Sequence, residues 1–136
     1  MTQDNDRLIV VDAANVIGSR PDGWWRDRSG AARRLLTKIS RLDERLEQPA
    51  ELVVVLEGAA KAAVAGASDP EFANLHIVQA DGSGDDAIVG VVAAAVAEDG
   101  DRPITVVTAD RGLRDRVEAL GANTVGPRWL LDRIGS

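Results

Sequence analysis

Short runs of almost wholly apolar residues, separated by segments with helical signals, constrain the fold of this chain most. They are Arg7–Val11, Leu52–Leu56, Leu75–Val78 and Ile104–Val107, followed by the shorter Thr124–Val125. Runs of this length without polar alternation are typical of strands that are buried on both faces of a parallel sheet. The sequence therefore predicts five strands joined through helices.

The segments between these runs predict the helices. Ser29 can cap a helix from about Gly30 to Gln48, where leucines recur at helical spacing and Pro49 follows. Further helices are expected from Ser83 or Gly84 to about Glu98, from Gly112 to Leu120 before Gly121, and from Pro127 onward. A loop containing Gly18, Pro21 and Gly23 is expected after the first run, and residues 59–72 are expected to form a poor helix followed by a loop, or to be mobile throughout. This alternation predicts an α/β three-layer fold with a five-stranded, mostly parallel sheet in one domain spanning residues 1–136.

Composition narrows the class of site and the compartment. Hydrophobic residues make up 45% of the chain but aromatic residues only 3%, so Val, Ile, Leu and Ala must build the core. The chain has no cysteine and only one histidine, His76, which argues against disulfides, thiolate sites and zinc. No apolar run approaches the ~20 residues of a membrane helix. We expect a cytoplasmic protein that does not enter a membrane.

The charge distribution is uneven. The formal net charge is -6, yet residues 20–41 hold seven basic residues and two acids, a local charge of +5 that leaves -11 for the remainder. A basic segment beside an acidic pocket is compatible with a protein that binds a polyanion such as RNA. The negative total therefore does not exclude a nucleic-acid partner.

Acidic residues recur just after the predicted strands or at a helix start. They are Asp12, Glu57, Asp85, Asp86 and Asp110. In an open parallel sheet, ligands bind outside the carboxyl ends of the strands, where the strand order reverses. Carboxylate oxygens suit Mg²⁺ or Mn²⁺, metals that commonly serve phosphoester chemistry. The sequence thus predicts a divalent-metal site formed by these acids.

Three ordered motifs resemble those of the PIN-like nucleases, specifically the NYN group and its bacterial YacP-like branch. The motifs are VVDAANVIG after the first strand, GSGDDAIV at a central helix start and VVTADRGLRDRV around the end of the fourth strand. The resemblance covers nearly the whole chain. It implies a Rossmann-like sheet in the order 3-2-1-4-5 and a metal-dependent ribonuclease site at the carboxyl edge of the sheet.

Each candidate site residue also has a purely structural interpretation. Asp12 is the strongest candidate ligand, because a carboxylate that ends a buried strand is costly without a cation or partner; otherwise it forms a turn. Asn15 would orient Asp12 or a metal-bound water, or serve as a turn residue. Thr108 would contact a metal-bound water or a phosphate, and Asp110 would ligate metal or cap the following helix.

The paired acids and Glu57 leave alternatives open. Either Asp85 or Asp86 could be a metal ligand, or both could favour the helix N-terminus as first-turn acids. Glu57 would complete the acidic ring or pair with Lys61 four residues on.

Basic and aromatic residues are candidates for substrate binding. Arg111 and Arg114 could bind substrate phosphate, or form salt bridges to Asp115 and Glu118. Trp24 could stack on unpaired bases, or pack against the domain. Arg26 and Arg33 belong to the basic segment that would follow the RNA backbone.

We therefore predict an enzyme that hydrolyses RNA, expected to be single-stranded, with Mg²⁺ or Mn²⁺ held by the acids and the metal generating the nucleophile. Two other classes compete with it: a non-catalytic module that binds RNA or a protein partner, and a small metal-dependent nucleotide phosphohydrolase. The sequence identifies no protein partner.

Overall fold

A computed structural model describes residues 7–19, 26–42, 50–58 and 75–134. Within these ranges strands and helices alternate as expected. Their bounds are β1 Arg7–Asp12, α1 Ala13–Gly18, α2 Arg28–Ile39, β2 Ala50–Leu56, β3 His76–Gln79, α3 Gly84–Glu98, β4 Ile104–Val107, α4 Arg111–Glu118, β5 Asn123–Val125 and α5 Pro127–Ile134. No helix in the described part of the chain is long and apolar enough to cross a membrane.

The five strands form one sheet in the order β3-β2-β1-β4-β5, and every pairing is parallel. This confirms the predicted α/β class and strand order. At the centre, Val11 of β1 pairs with Val54 of β2 on one side and Val107 of β4 on the other. Because the connections leave β1 in opposite directions, the carboxyl ends of β1 and β4 flank the point where the strand order reverses.

Helices cover both faces of the sheet, which explains the lack of polar alternation in the strands. Ile9 and Val11 face a core built with α1, α2 and α5. Leu8 and Val10 face a second core built with α3 and α4. All four side chains are at most 2% exposed. Removing apolar surface from water on both faces is the dominant favourable contribution to such a fold.

The predicted loop after β1 is wrong over its first residues, which form the short helix α1. Asp12 caps this helix, and Ala13, Val16 and Ile17 bury one side of it. Six residues are too few for a helical pattern to be recognised against its neighbours. The helix is stabilised by its cap and its buried side chains, and not by a high intrinsic helix propensity.

The predicted limits of the next helix also differ from those observed. Asp27, and not Ser29, caps α2, because its Oδ1 accepts the Gly30 N–H at 2.9 Å. Helix α2 ends at Ile39, whereas the predicted end near Gln48 lies outside the described residues. Pro49 and residues 59–72 lie outside the described residues. The start of α3 at Gly84, after the cap Ser83, agrees with the prediction.

Gly121 follows α4 as predicted, with a positive φ of 101°. Its N–H donates to the Glu118 carbonyl and the Ala122 N–H donates to the Val117 carbonyl. These paired bonds form a Schellman motif, which requires the left-handed backbone that glycine adopts without strain. The chain then turns into β5 beside β4.

Candidate functional site

Asp12 lies at the carboxyl end of β1 and is only 6% exposed. Its Oδ1 accepts the Asn15 N–H at 3.3 Å, which makes it the N-cap of α1. Its Oδ2 accepts the hydroxyl hydrogen of Thr108 at 2.9 Å. The carboxylate therefore serves as a structural cap and also lies at the switch point of the sheet.

Thr108 follows β4 and is completely buried. Besides donating to Asp12, its hydroxyl oxygen accepts the Asp110 N–H at 3.1 Å. Asp110 in turn caps α4, because its Oδ1 accepts the Leu113 N–H at 3.1 Å. The hydroxyl therefore donates one hydrogen bond and accepts another within the protein, and its predicted contact with a metal-bound water or a phosphate stays a prediction. Thr108 connects two candidate ligands, Asp12 and Asp110.

Asn15 makes a second connection between the same two strand ends. Its Oδ1 accepts the Ala109 N–H at 2.8 Å. This bond fixes the orientation of the amide, because only the oxygen can accept. The Nδ2 group of Asn15 makes no hydrogen bond among the described residues, so it can donate to a ligand.

The two adjacent acids of α3 are placed differently. Asp86 points toward α4, where its Oδ1 lies 3.1 Å from Arg116, and its side chain is 73% exposed. Asp85 is half-buried, and the charges of Asp110 and Glu57 act on it. Asp85 thus interacts electrostatically with the acids that follow the strands, whereas Asp86 pairs with Arg116.

Glu57, after β2, accepts the Gly84 N–H through Oε2 at 2.7 Å. This contact is neither of the two that the sequence suggested. Lys61, its predicted helical partner, lies outside the described residues. Glu57 therefore joins the end of β2 to the first residue of α3.

The charges of these acids act on one another. Burial raises the pKa of Asp12, and repulsion from Asp85 and Glu57 adds to the rise, whereas hydrogen bonds from Thr108 and the Asn15 N–H oppose it. Burial also raises the pKa of Asp85, with repulsion from Asp110 and Glu57 adding to it and the charge of Arg116 opposing it. Carboxylates that repel one another are suited to a bound cation.

A metal site formed by several of these acids stays a prediction. Among the described residues, no group of three or more Asp, Glu or His side chains could hold a metal ion. Every buried polar side-chain atom within those ranges has a hydrogen-bond partner. Asp12, Glu57 and Asp110 each accept a hydrogen bond from a backbone amide.

The basic candidates fall into two groups. Arg111 is exposed at the start of α4, and its side chain has no ion pair within the described ranges. Arg114 is half-buried, and its Nε donates to the Thr108 carbonyl at 2.9 Å. Neither forms the alternative salt bridges to Asp115 or Glu118 in that part of the chain. Arg111 is thus available to a substrate, whereas Arg114 supports the loop after β4.

The remaining candidates lie in or just before α2, or beyond the described residues. Arg26 is exposed just before the cap of α2, and Arg33 is half-buried within that helix. Both make interactions within the protein. Trp24 lies outside the described residues, so its predicted stacking role stays a prediction.

Two residues that contact this region were not predicted. Arg116 pairs with Asp86, and Gly84 donates its N–H to Glu57. The SGDD sequence, with a glycine between a cap and two acids, was the available signal for Gly84. The contact with Glu57 joins residues 27 positions apart, which local pattern alone does not reveal.

Comparison with known proteins supports the fold. No family model matches the sequence, and no curated protein matches it significantly. Among solved structures, the chain is similar to the crystal structure of Rae1 (YacP) from Bacillus subtilis, a W164L mutant, with a TM-score of 0.73 and 18% sequence identity. The alignment covers 95% of this chain and 75% of the other. The resemblance to the YacP-like branch is therefore confirmed at the level of the fold.

Proposed function

We propose that this protein is a metal-dependent ribonuclease that hydrolyses RNA phosphodiester bonds at the carboxyl edge of its sheet. The observation that carries the proposal is the junction of β1 and β4, where the Thr108 hydroxyl donates to Asp12 and accepts the Asp110 N–H, so that two acids follow neighbouring strand ends. The charge of Asp85 also acts on Asp12 and adds to the rise in its pKa. Asp110 adds negative charge beside Asp85. The fold shared with Rae1 (YacP) gives further support.

The donor set suits Mg²⁺ or Mn²⁺. Mg²⁺ is commonly bound through one or two carboxylates together with waters and substrate phosphates, so a cage of three acids is not required. Asp12 and Asp85 would hold the ion together with waters and a substrate phosphate, and Asp110 would add negative charge beside them. When bound, the ion would lower the pKa of a water molecule and offset charge on the scissile phosphate.

The protein's own residues would prepare and orient this site. Thr108 fixes the carboxylate of Asp12 through its hydroxyl. Asn15, anchored to the Ala109 N–H, would present its Nδ2 hydrogens to a phosphate oxygen or a water. Arg111 would bind a neighbouring phosphate, because its exposed guanidinium can make paired hydrogen bonds to phosphate oxygens. Arg26 and Arg33 would extend the contact along the RNA backbone.

The adjacent acids offer a matched test. Mn²⁺ and Mg²⁺ would be titrated by calorimetry into the wild type, Asp12→Asn, Asp85→Asn and Asp86→Asn, and cleavage of a labelled single-stranded RNA would be followed. We expect metal-dependent cleavage that is lost in Asp12→Asn and Asp85→Asn. Asp86→Asn should remain active, because Asp86 pairs with Arg116 on the surface.

A non-catalytic module that binds RNA or a protein partner is the second candidate. The observation favouring it is that Asp12, Asp110 and Glu57 all bond to backbone amides, which gives each a structural role without metal. If the wild type neither binds millimolar metal in the presence of RNA nor cleaves it, this second candidate replaces the ribonuclease.

A further inference from the structure

The side chain of Glu57 contacts the backbone of Gly84 next to Asp85. Glu57 follows β2, and Gly84 is the first residue of α3. The 2.7 Å bond from the Gly84 N–H to Oε2 involves a charged acceptor, and bonds of that kind are shorter and stronger than neutral ones. It provides a partner for one of the amides that a helix start leaves without an intrahelical acceptor.

The backbone at Gly84 lies against the carboxylate. A Cβ built at this position would be 3.1 Å from the carboxyl carbon of Glu57 and 3.2 and 3.3 Å from its oxygens. Gly84 is buried, whereas Glu57 is only half-buried. Any side chain at position 84 would therefore have to displace the carboxylate by a few tenths of an ångström.

Asp85 is the next residue, so its position depends on how the first turn of α3 is held. The hydroxyl oxygen of Ser83 caps this turn by accepting the Asp86 N–H at 3.2 Å. This hydrogen bond joins residues three positions apart, so it does not hold α3 in place relative to the sheet. Of the two, only the Glu57 bond ties the helix start to a strand of the sheet.

We infer that Glu57 is a positioning residue whose carboxylate, bonded to the Gly84 N–H, sets the place of Asp85 in the candidate site. This inference rests on the proposed function for its catalytic consequence, whereas the structural part stands on the contact itself. It differs from the role of Glu57 as a metal ligand that the sequence suggested. Glu57 acts through α3 and does not need to touch metal or substrate.

Two substitutions separate positioning from ligation. Glu57→Gln and Glu57→Ala both remove the negative charge, but only glutamine keeps an oxygen that can accept the Gly84 N–H. In the metal-free protein, hydrogen exchange of the Gly84 amide should accelerate by about tenfold in Glu57→Ala and remain close to wild type in Glu57→Gln. Mn²⁺ affinity and RNA cleavage should fall about tenfold further in Glu57→Ala than in Glu57→Gln.

Glycine substitutions within α3 supply an independent pair that leaves the charge of Glu57 in place. Gly84→Ala should lower Mn²⁺ affinity, because the added methyl group displaces the carboxylate. Gly90→Ala is the control, since a Cβ there meets nothing within 4 Å. Should Glu57→Ala fail to fold, Gly84→Ala and Glu57→Gln still decide the question.

Two outcomes would overturn the inference, and a third would refute only the proposed function. Equal losses of Mn²⁺ affinity in Glu57→Gln and Glu57→Ala, with an unchanged Gly84 amide, would make Glu57 a ligand. A lowered melting temperature in Glu57→Ala with unaltered affinity and kcat would make its role purely structural. A wild type that neither binds Mn²⁺ nor cleaves RNA would refute the proposed function, and the amide exchange alone would then decide the positioning.

Discussion

The hydroxyl of Thr108 donates a 2.9 Å hydrogen bond to Oδ2 of Asp12 across the junction of β4 and β1. The same oxygen accepts the Asp110 N–H at 3.1 Å. One buried hydroxyl therefore fixes the side chain of one acid and the backbone of another. The candidate site depends on this residue although Thr108 itself is inaccessible to solvent.

Replacing Thr108 with valine, which has nearly the same shape, should destabilise the fold by about 1 to 3 kcal/mol, because Asp12 loses a donor in a buried place. Urea denaturation measures this change. Thr108→Ser keeps the hydroxyl and should restore much of the loss and most of the RNA cleavage. Equal stability of the valine variant and the wild type would contradict the assigned role.

Asp12→Asn should gain stability relative to the wild type as the pH rises above about 4, although it keeps only one of the two accepting oxygens of Asp12. Because burial raises the pKa of Asp12 in the folded state, stability is lost as the pH rises from the unfolded value of 3.8 through the folded pKa. Asparagine carries no charge and escapes that loss.

The gain in Asp12→Asn should therefore shrink as the pH falls toward about 4, which urea denaturation across that range would reveal. Asp86→Asn is the control, since its exposed ion pair with Arg116 contributes at most about 1 kcal/mol. A gain for Asp12→Asn that does not depend on pH would contradict the assigned cause.

Arg111→Ala should weaken RNA binding and reduce the slope of log affinity against log salt by about 0.7, the value expected for one phosphate contact on a single strand. Fluorescence anisotropy at several salt concentrations measures both. Arg133→Ala removes the same charge from the last turn of α5, where the guanidinium lies 4.1 Å from the Trp129 ring. If both variants change the slope equally, Arg111 has no special contact.

Gly90→Ala should stabilise the protein by about 0.5 to 1 kcal/mol, because alanine is the better helix former and the site is exposed. Gly84→Ala should change stability in the opposite direction, since its methyl group would lie 3.1 Å from the Glu57 carboxyl carbon. Thermal unfolding of the two variants side by side checks the signs. Stabilisation by both would show that Glu57 moves aside freely.

The strands and their order could be predicted because burial on both faces leaves a strong apolar signal, as in Val10 and Val11. The acids that follow them could also be recognised, since a polar residue directly after such a run is conspicuous. Asp110 was predicted either to ligate metal or to cap a helix, and it does cap α4. Its role as a ligand stays a prediction.

Features set by contacts between distant residues could not be predicted. Glu57 was expected to complete the acidic ring or to pair with Lys61, and its contact with Gly84, 27 residues away, was not foreseen. Asp85 and Asp86 are equivalent in sequence, and only the packing of α3 against α4 separates them. The start of α2 was misplaced by two residues because Asp27 and Ser29 are both favourable caps, and the choice depends on which backbone amide is in reach.

Asp12 and Asp110 each begin a helix through a single carboxylate oxygen. Asparagine retains an oxygen that can accept the same N–H. The charge of the site can therefore change during evolution while the fold is kept. Replacing Asp12 and Asp110 by asparagine would remove both negative charges and keep the N-caps of α1 and α4. A homologue that has lost catalytic activity could therefore keep the same fold as an active one. The residues at positions 12 and 110 would distinguish the two.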